Sequence, residues 1–563
     1  MNGAERICAT LFALGVRHVF GVPGTQNVML YEALRNSGLR SVAASDEGAA
    51  AFMAVGFARA SGMAGVLTTI PGPGFVYALA GVAEARHDSA PMLWLTLRQR
   101  DTGQAFQLQL IDQAAMAKPI VKQCFFIEHA RELDEAVRLA YRLAMTGEPG
   151  PVLVEVAAAV LFENDVPAGA VNDSSMPAPD TRGMLHSLAE SERPLIFAGQ
   201  GAQGAAAAVQ GLAHRLHAPV LFTCSGRGTL RDSDPLAFVK DFSFGMGEVV
   251  PALIERADLI LALGCKFAHN GSSAGRLHLP QHKLIRVDSS ADVLAANYPA
   301  RIAITARVED VLASLDRVQS SRPGWPQDEL AAVRERLAAE NSNPIPYEPL
   351  IDGTVERRIP EFFGALSRAA GERAVYTADA GLHQALTRKH ALVLRPRGLL
   401  CPSDFQSMGF GLPGAIGAVL AQPDACVFAC IGDGGLAQTA GELLTAVREG
   451  LHLVVVVFND GALGLIRRQQ VENFGYLSGV TLHSPNYAAL AEAVGSSYFP
   501  VTGDLDTLAG EIVQTPGVRL VELRLRDSAS FHWKQLKSIV RHRAHRAVPE
   551  SAWQVLKRLL RRH

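Results

Sequence analysis

The sequence predicts an α/β protein built as three consecutive doubly wound parallel-sheet domains. The chain is 563 residues long, too long for one hydrophobic core at roughly 150 residues per domain. One order of segments recurs three times: apolar run, glycine-rich turn, helix-period stretch, apolar run. The runs are continuously apolar, as parallel strands covered on both faces must be.

In the first domain, residues 1–165, "VRHVFGVPG", "GVLTTIPGPG", "PMLWLTL" and "GPVLVEV" read as short buried strands. Alanine-rich stretches such as "DEGAAAFMAVGFARASG" between them carry helical spacing. The segment 162–183, rich in Pro, Asn, Asp and Ser, reads as a linker. The central domain, 184–320, offers "PLIFAGQG", "APVLFTC", "ADLILALGCKF" and "HKLIRVD", and a polar boundary runs over roughly 318–352. The third domain, 352–530, offers "AVYTADAG", "ACVFACIGDGG", "LVVVVFNDG" and "VRLVELRL". A basic tail, 531–563, closes the chain.

With 48 % apolar and 19 % charged residues the composition is globular. A formal net charge of −2 argues against general nucleic-acid binding. Seven cysteines without a C-x-x-C spacing read as reduced thiols of a cytoplasmic protein. The N-terminus has no basic segment followed by an unbroken apolar one, so it is not read as a signal peptide.

The chemistry is expected where strands end, because ligands of parallel sheets sit at the carboxyl edge. Asp433 follows "CVFACI" and Asp460 follows "LVVVVF". If those strands are neighbours, the two carboxylates lie about 5–10 Å apart and repel each other unless a cation lies between them. A hard cation such as Mg²⁺ takes oxygen ligands, carboxylates together with phosphate oxygens. Gly434 and Gly435 allow backbone N–H groups to approach a phosphate, and a helix expected from about Thr439 points its positive end there. Either dipeptide alone would be an ordinary turn.

Gly432-Asp433-Gly434, then Asn459-Asp460 after 26 residues, resembles the diphosphate-and-magnesium signature of thiamine-diphosphate enzymes. The resemblance, which includes acetolactate synthases and benzaldehyde lyase, runs over roughly residues 4–530. It implies thiamine diphosphate and Mg²⁺ as cofactors, with Asp433, the Asp460 side chain and the Ala462 carbonyl as metal ligands. Gly432, Gly434, Gly435, Leu463 and Gly464 complete the diphosphate cradle. The family's usual second Asn is Asp460 here, which adds a negative charge. "AASDEGAAAFMAVG" resembles the segment of the activating glutamate, which makes Glu47 the acid beside the cofactor's pyrimidine. "DAGLHQAL" places Gly381 and His383 against the diphosphate. "FQSMGFGLPG" assigns Met408 to bending the cofactor and the Gln406 carbonyl to its amino group. "FGVPGTQN" puts Pro23 and Gly24 beside the pyrimidine, with Thr25 and Gln26 lining the acyl pocket.

The segment "QAFQLQLIDQAAMAKPIVKQ" resembles the glutamine-bearing loop of the carboligases. Either Gln107 or Gln109 can face the site, and counting back from Lys118 favours Gln109. The adjacent His pair of the pyruvate decarboxylase relatives is missing. The resemblance therefore implies an acetolactate synthase-like carboligase acting on a 2-oxo acid, with an aldehyde or second 2-oxo acid as partner. A non-oxidative 2-oxo acid decarboxylase is the alternative, and a membrane-docked flavin oxidase a third reading. Glu47 and Asp433 fall in different domains, which in this family belong to different subunits, so a homodimer or homotetramer with the site across its interface is expected.

The central domain carries Gly199, Gly201 and Gly204 in dinucleotide-fingerprint spacing. The acid expected at the end of the next strand is missing, since that strand runs into Cys224 and Ser225. FAD is thus possible but not favoured. The tail has nine Lys/Arg against one Glu and sets Trp553, Leu556, Leu559 and Leu560 on one helical face, a pattern open to membrane-surface contact.

Overall fold

The computed structural model describes residues 1–164, 166, 179–315, 323–345, 348 and 351–547. It contains three six-stranded sheets, all parallel, one per expected domain.

The first sheet holds β1 (His18–Gly21), β2 (Arg40–Ala43), β3 (Gly65–Thr69), β4 (Met92–Arg98), β5 (Cys124–Ile127) and β6 (Pro151–Ala157), in the order β2-β1-β3-β4-β6-β5. The central sheet holds β7 (Pro194–Ala198), β8 (Val220–Phe222), β9 (Ala237–Phe238), β10 (Leu259–Leu263), β11 (Leu284–Asp288) and β12 (Ile302–Thr305), in the order β12-β11-β10-β7-β8-β9. The third holds β13 (Ala374–Ala378), β14 (Leu399–Leu400), β15 (Cys426–Gly432), β16 (Leu453–Asn459), β17 (Ser497–Pro500) and β18 (Val518–Arg524), in the order β14-β13-β15-β16-β18-β17. The first and third sheets share one strand order. The central sheet has the doubly wound order with its switch point between β7 and β10.

The first and third domains share a core. The helix Glu47–Ser61 lies along the helix Gly411–Ala421, and Met53, Phe57, Ile416 and Val419 belong to one buried cluster. The crossing is close because glycines line it. A Cβ on Gly56 would collide with the Gly414 carbonyl, and one on Gly417 with that of Met53.

Two expectations need correction. The helix placed from about Thr439 begins at Asp433 and runs to Thr439, followed by a second over Glu442–Arg448. The extended Gly432 ends β15 directly at the helix start, so Asp433, Gly434 and Gly435 are its first turn. The polar boundary 318–352 contains a helix, Gln327–Ser342, whose Leu330, Val333 and Leu337 are buried in the central core. Its apolar stripe is only three residues wide, too thin to stand out among charges. Much of the linker 162–183, and Trp553, Leu556, Leu559 and Leu560, lie outside the described residues.

Candidate active site

Asp433 and Asp460 stand at the ends of neighbouring strands, close enough to feel each other's charge. β15 and β16 are neighbours, with Gly432 paired to Phe458. Burial first, and the charge of Asp460 second, raise the Asp433 carboxyl above the usual range. Ser484 joins the two strand ends, its hydroxyl lying 3.1 Å from Asp433 Oδ2 and 2.8 Å from Asn459 Oδ1. Asn459 in turn donates to Glu522 at 2.7 Å.

The added charge of Asp460 has a partner. Arg468 donates from Nη1 to Asp460 Oδ2 at 2.8 Å, and its side chain is 0 % exposed. One Asp460 oxygen is thus held by a guanidinium, with Asp527 3.7 Å from the same arginine. The expectation of a net extra negative charge gives way to a neutralised pair.

A Cβ added at Gly434 would press against Leu463 and Leu482 and come within van der Waals reach of the Met408 side chain. Met408 therefore stands over the first turn of the Asp433 helix, in a loop and not within a helix. That loop is tied down by Asp379, which accepts from the Gly409 N–H at 2.9 Å and whose burial raises its carboxyl to about 6. Gln406 has φ of 62°, a left-handed conformation uncommon outside glycine, and its side chain donates to the carbonyls of Pro402 and Ser403 at 2.6 and 2.8 Å. His383 packs against Gly381 and Gly432. Burial pushes it down to about 4, and its Nε2 is buried without a hydrogen-bond partner. Ala462 is bridged to Thr481, Leu463 donates to the Val480 carbonyl, and Gly464 lies against Asp460.

A second cluster gathers in the first domain. Glu47 opens its helix behind the N-cap Asp46, is 7 % exposed, and has its carboxyl raised by burial. Its Oε1 faces Gly74, where no side chain would fit. Gln26 donates to Gln109 Oε1 at 2.5 Å, and Gln109 packs on Gly72. Gln113 anchors this loop by accepting from the Gly72 N–H and donating to Glu155. Gln107 instead bonds the Thr102 N–H and the Arg100 carbonyl of its own exposed loop. Of the two candidates, Gln109 reaches the cluster and Gln107 does not. Asn27 shapes the Val22–Gly24 turn by accepting from the Gly24 N–H, which leaves Pro23 and Thr25 exposed. Among the described residues no hydrogen bond or ion pair joins the Glu47 cluster to the Asp433 cluster.

Sequence reasoning missed Ser484, Asp379, Gln113 and Arg468. Only Arg468 had a signal: an acid standing where the family pattern has an amide calls for a nearby cation.

Three family models cover the chain in this same order. The N-terminal thiamine pyrophosphate binding domain matches residues 1–116, the central domain of these enzymes 182–315, and the C-terminal thiamine pyrophosphate binding domain 379–523. The large subunit of acetolactate synthase isozyme 1 of Escherichia coli K12 is 30% identical over 542 residues, 93% of this chain and 94% of that one.

The chain belongs to the thiamine pyrophosphate enzymes of the acetolactate synthase type.

Other members of this family are similar over comparable lengths. A probable acetolactate synthase large subunit of Methanocaldococcus jannaschii is 31% identical over 528 residues, 88% of this chain and 86% of that one. A probable 2-ketoarginine decarboxylase of Pseudomonas aeruginosa is 31% identical over 542 residues, covering 93% and 94%. The residues present suit the family's cofactor. The Asp433 helix offers N–H groups beside two glycines, His383 Nε2 is a buried polar atom lacking a partner, and Asp433 and Asp460 offer oxygens to a metal.

A cavity of about 930 Å³ lies at the carboxyl ends of β7 and β10, walled by the central domain at Gly201, Cys224, Lys266 and Asp288 and by the first and third domains at Arg59, His87 and Ser403. Gly199 and Gly201 pack on the turn at Gly264.

Proposed function

We propose that the protein is a thiamine-diphosphate- and Mg²⁺-dependent carboligase that takes a 2-oxo acid and couples its acyl unit to a second carbonyl compound. The observation that carries the reading is the Gln26–Gln109 pair beside Glu47. With Gln109 Oε1 occupied by Gln26, the Gln109 amide N–H₂ is left to donate to a carbonyl oxygen. Among the described residues no histidine hydrogen-bonds to Glu47, Gln26 or Gln109. His87 stacks on Phe405 at 5.0 Å and lines the central cavity. A pocket of amides orients a carbonyl without a ready proton donor, which favours coupling over protonation.

The bound cofactor supplies a nucleophilic carbon able to add to a 2-oxo acid and to hold the charge left by departing carbon dioxide. The chain's own residues set the conditions. Glu47, with its carboxyl raised by burial, holds a proton at the pyrimidine nitrogen. Asp433, Asp460 and the Ala462 carbonyl would hold Mg²⁺, while the N–H groups of the Asp433 helix would donate to the diphosphate and the buried His383 ring would border it. Met408 would bend the cofactor and the Gln406 carbonyl would receive its amino group. Pro23 and Gly24 border the pyrimidine, with Thr25 beside Gln26 at the acyl position.

With no hydrogen bond or ion pair joining the two clusters among the described residues, each site is read as completed by the partner copy, in a homodimer or a tetramer of two such dimers. Phe106, Leu108 and Tyr77, exposed on the Glu47 side, supply apolar surface for that contact.

The test is to incubate enzyme, cofactor and Mg²⁺ with a panel of 2-oxo acids, with and without carbonyl acceptors, and to follow carbon dioxide and products by mass. Coupled hydroxy-ketone products are expected. The similarity to a probable 2-ketoarginine decarboxylase favours one second reading, simple decarboxylation. Aldehyde released at full rate, with no coupled product under any acceptor, would establish it.

A further inference from the structure

Cys224 and Cys401 come from different domains, yet their sulfurs lie 3.3 Å apart. Cys224 opens the short turn Cys224–Gly226 after β8 of the central sheet, and Cys401 directly follows β14 of the third. Their surroundings divide the pair into unlike halves. Cys224 is part-exposed and forms part of the wall of the 930 Å³ cavity, so small molecules reach it. Cys401 is fully buried behind it.

The charges around the pair also differ from those at the other thiols. Arg388 Nη1 lies 4.0 Å from Cys224 Sγ, and Arg59, which donates to Ser225 next in sequence, faces the same turn. Asp241, paired with Arg388 at 3.0 Å, offsets part of this field. The hydrogen bond from the Cys401 thiol and the Arg388 cation favour a thiolate at Cys224, whereas Cys401 keeps its proton. Cys8, Cys124, Cys265, Cys426 and Cys430 have only burial as the leading influence, and all are raised. A stabilised, reachable thiolate beside a shielded thiol is the arrangement of an attacking and a resolving cysteine.

We propose that Cys224 and Cys401 are an oxidisable dithiol whose co-substrate is a small hydroperoxide entering through the central cavity. The Cys224 thiolate attacks the distal peroxide oxygen. The O–O bond breaks, the departing alkoxide or hydroxide takes up a proton, and Cys224 becomes a sulfenic acid. Cys401 sulfur then attacks Cys224 sulfur, and the sulfenic hydroxyl leaves as water with the Cys401 proton. Two thiols have lost two electrons, and one hydrogen peroxide has become two waters. Bond formation needs an approach of only about 1.3 Å, from contact to a bond of about 2.0 Å.

The crosslink would tie the central domain to the segment leading into Gln406 and Met408. Ser403 in that segment already bonds Ser225 at 2.8 Å.

The test uses the full-length reduced protein with one equivalent of hydrogen peroxide per chain. Free thiols are counted in denaturant, and peptides are mapped by mass without reduction. Two thiols should disappear per chain, with one linked peptide pair containing Cys224 and Cys401, reversed by dithiothreitol. Cys224 should react about tenfold faster than any other cysteine. In C401S a 1,3-dione probe should trap the Cys224 sulfenic acid, and C224S should leave Cys401 unmodified. The wild-type map decides the matter even if a variant fails to fold. Uniform reaction of all thiols, or Cys224 oxidised without a link to Cys401, would overturn the proposal.

Discussion

Asp460 and Arg468 form the most unusual pair at the site, because an ion pair stands where the family pattern places an amide. Arg468 has no access to water, so its charge depends on Asp460 and, more weakly, on Asp527. Removing one partner of a buried pair costs about 3–5 kcal/mol, while replacing both by matched neutral groups is close to neutral. D460N should therefore lower the melting temperature of the cofactor-free protein sharply, and D460N/R468Q should recover most of the loss. Mg²⁺ affinity in the presence of cofactor, measured by calorimetry, should follow the same order. Strictly additive effects would show that the two side chains act independently. His383 makes a pH-dependent contribution of defined sign. Its folded value lies near 4 against 6.5 for a free histidine, so between those values the unfolded chain binds more protons. Stability then falls as pH drops through that window and is unaffected above it. Chemical denaturation of wild type and H383Q from pH 7 to pH 4 should show the shallower loss in H383Q, with about 3 kcal/mol as the upper bound of the difference.

Strands and helices differed in how visible they were beforehand. In every domain the four strands read from the sequence are the four inner ones, and the missed ones are the edges: β2 and β5, β9 and β12, β14 and β17. Inner strands are buried on both faces and appear as unbroken apolar runs. Edge strands here are two to four residues long, and β5 and β17 are only partly covered, so they carry no such run. The acids at strand ends were legible for the same reason, since β15 and β16 are inner strands. The choice between Gln107 and Gln109 was not, because a loop's register depends on anchors such as Gln113 rather than on any period. The crossing of Glu47–Ser61 with Gly411–Ala421 offers a test at this scale. At Gly56 an added methyl meets the Gly414 backbone, which cannot swing aside. G56A should cost at least about 1–3 kcal/mol, seen as a lower melting temperature together with loss of cofactor affinity. An unchanged melting temperature would mean the two helices can part freely.

At the scale of the whole molecule, the proposed sharing of each site between two chains predicts complementation. E47Q alone should lose about 10²–10⁴ in turnover, and D433A alone should lose Mg²⁺-dependent cofactor binding. Co-assembled in equal amounts, half the dimers would pair the two variants, and each such dimer holds one site free of either change. About a quarter of wild-type activity should return, and no recovery in verified mixed dimers would place both residues in the same chain's site. Among the described residues no helix is long and apolar enough to cross a membrane. The shared strand order of the first and third sheets reaches further. Counting from the first strand of each, the turn bearing Gln26 matches the turn bearing His383, and Glu47 matches the Gln406–Met408 loop. The turn bearing Gly72 and Gly74 matches Asp433–Gly435, and the stretch reaching Gln109 matches the one bearing Asp460. Both halves of the machinery hang from corresponding hooks of one scaffold used twice. A duplicated ancestor would give such a pair of frameworks, and in the roles proposed above one copy would serve the ring and the carbonyl and the other the phosphates. Each copy could then drift in its own loops while the common framework stayed fixed.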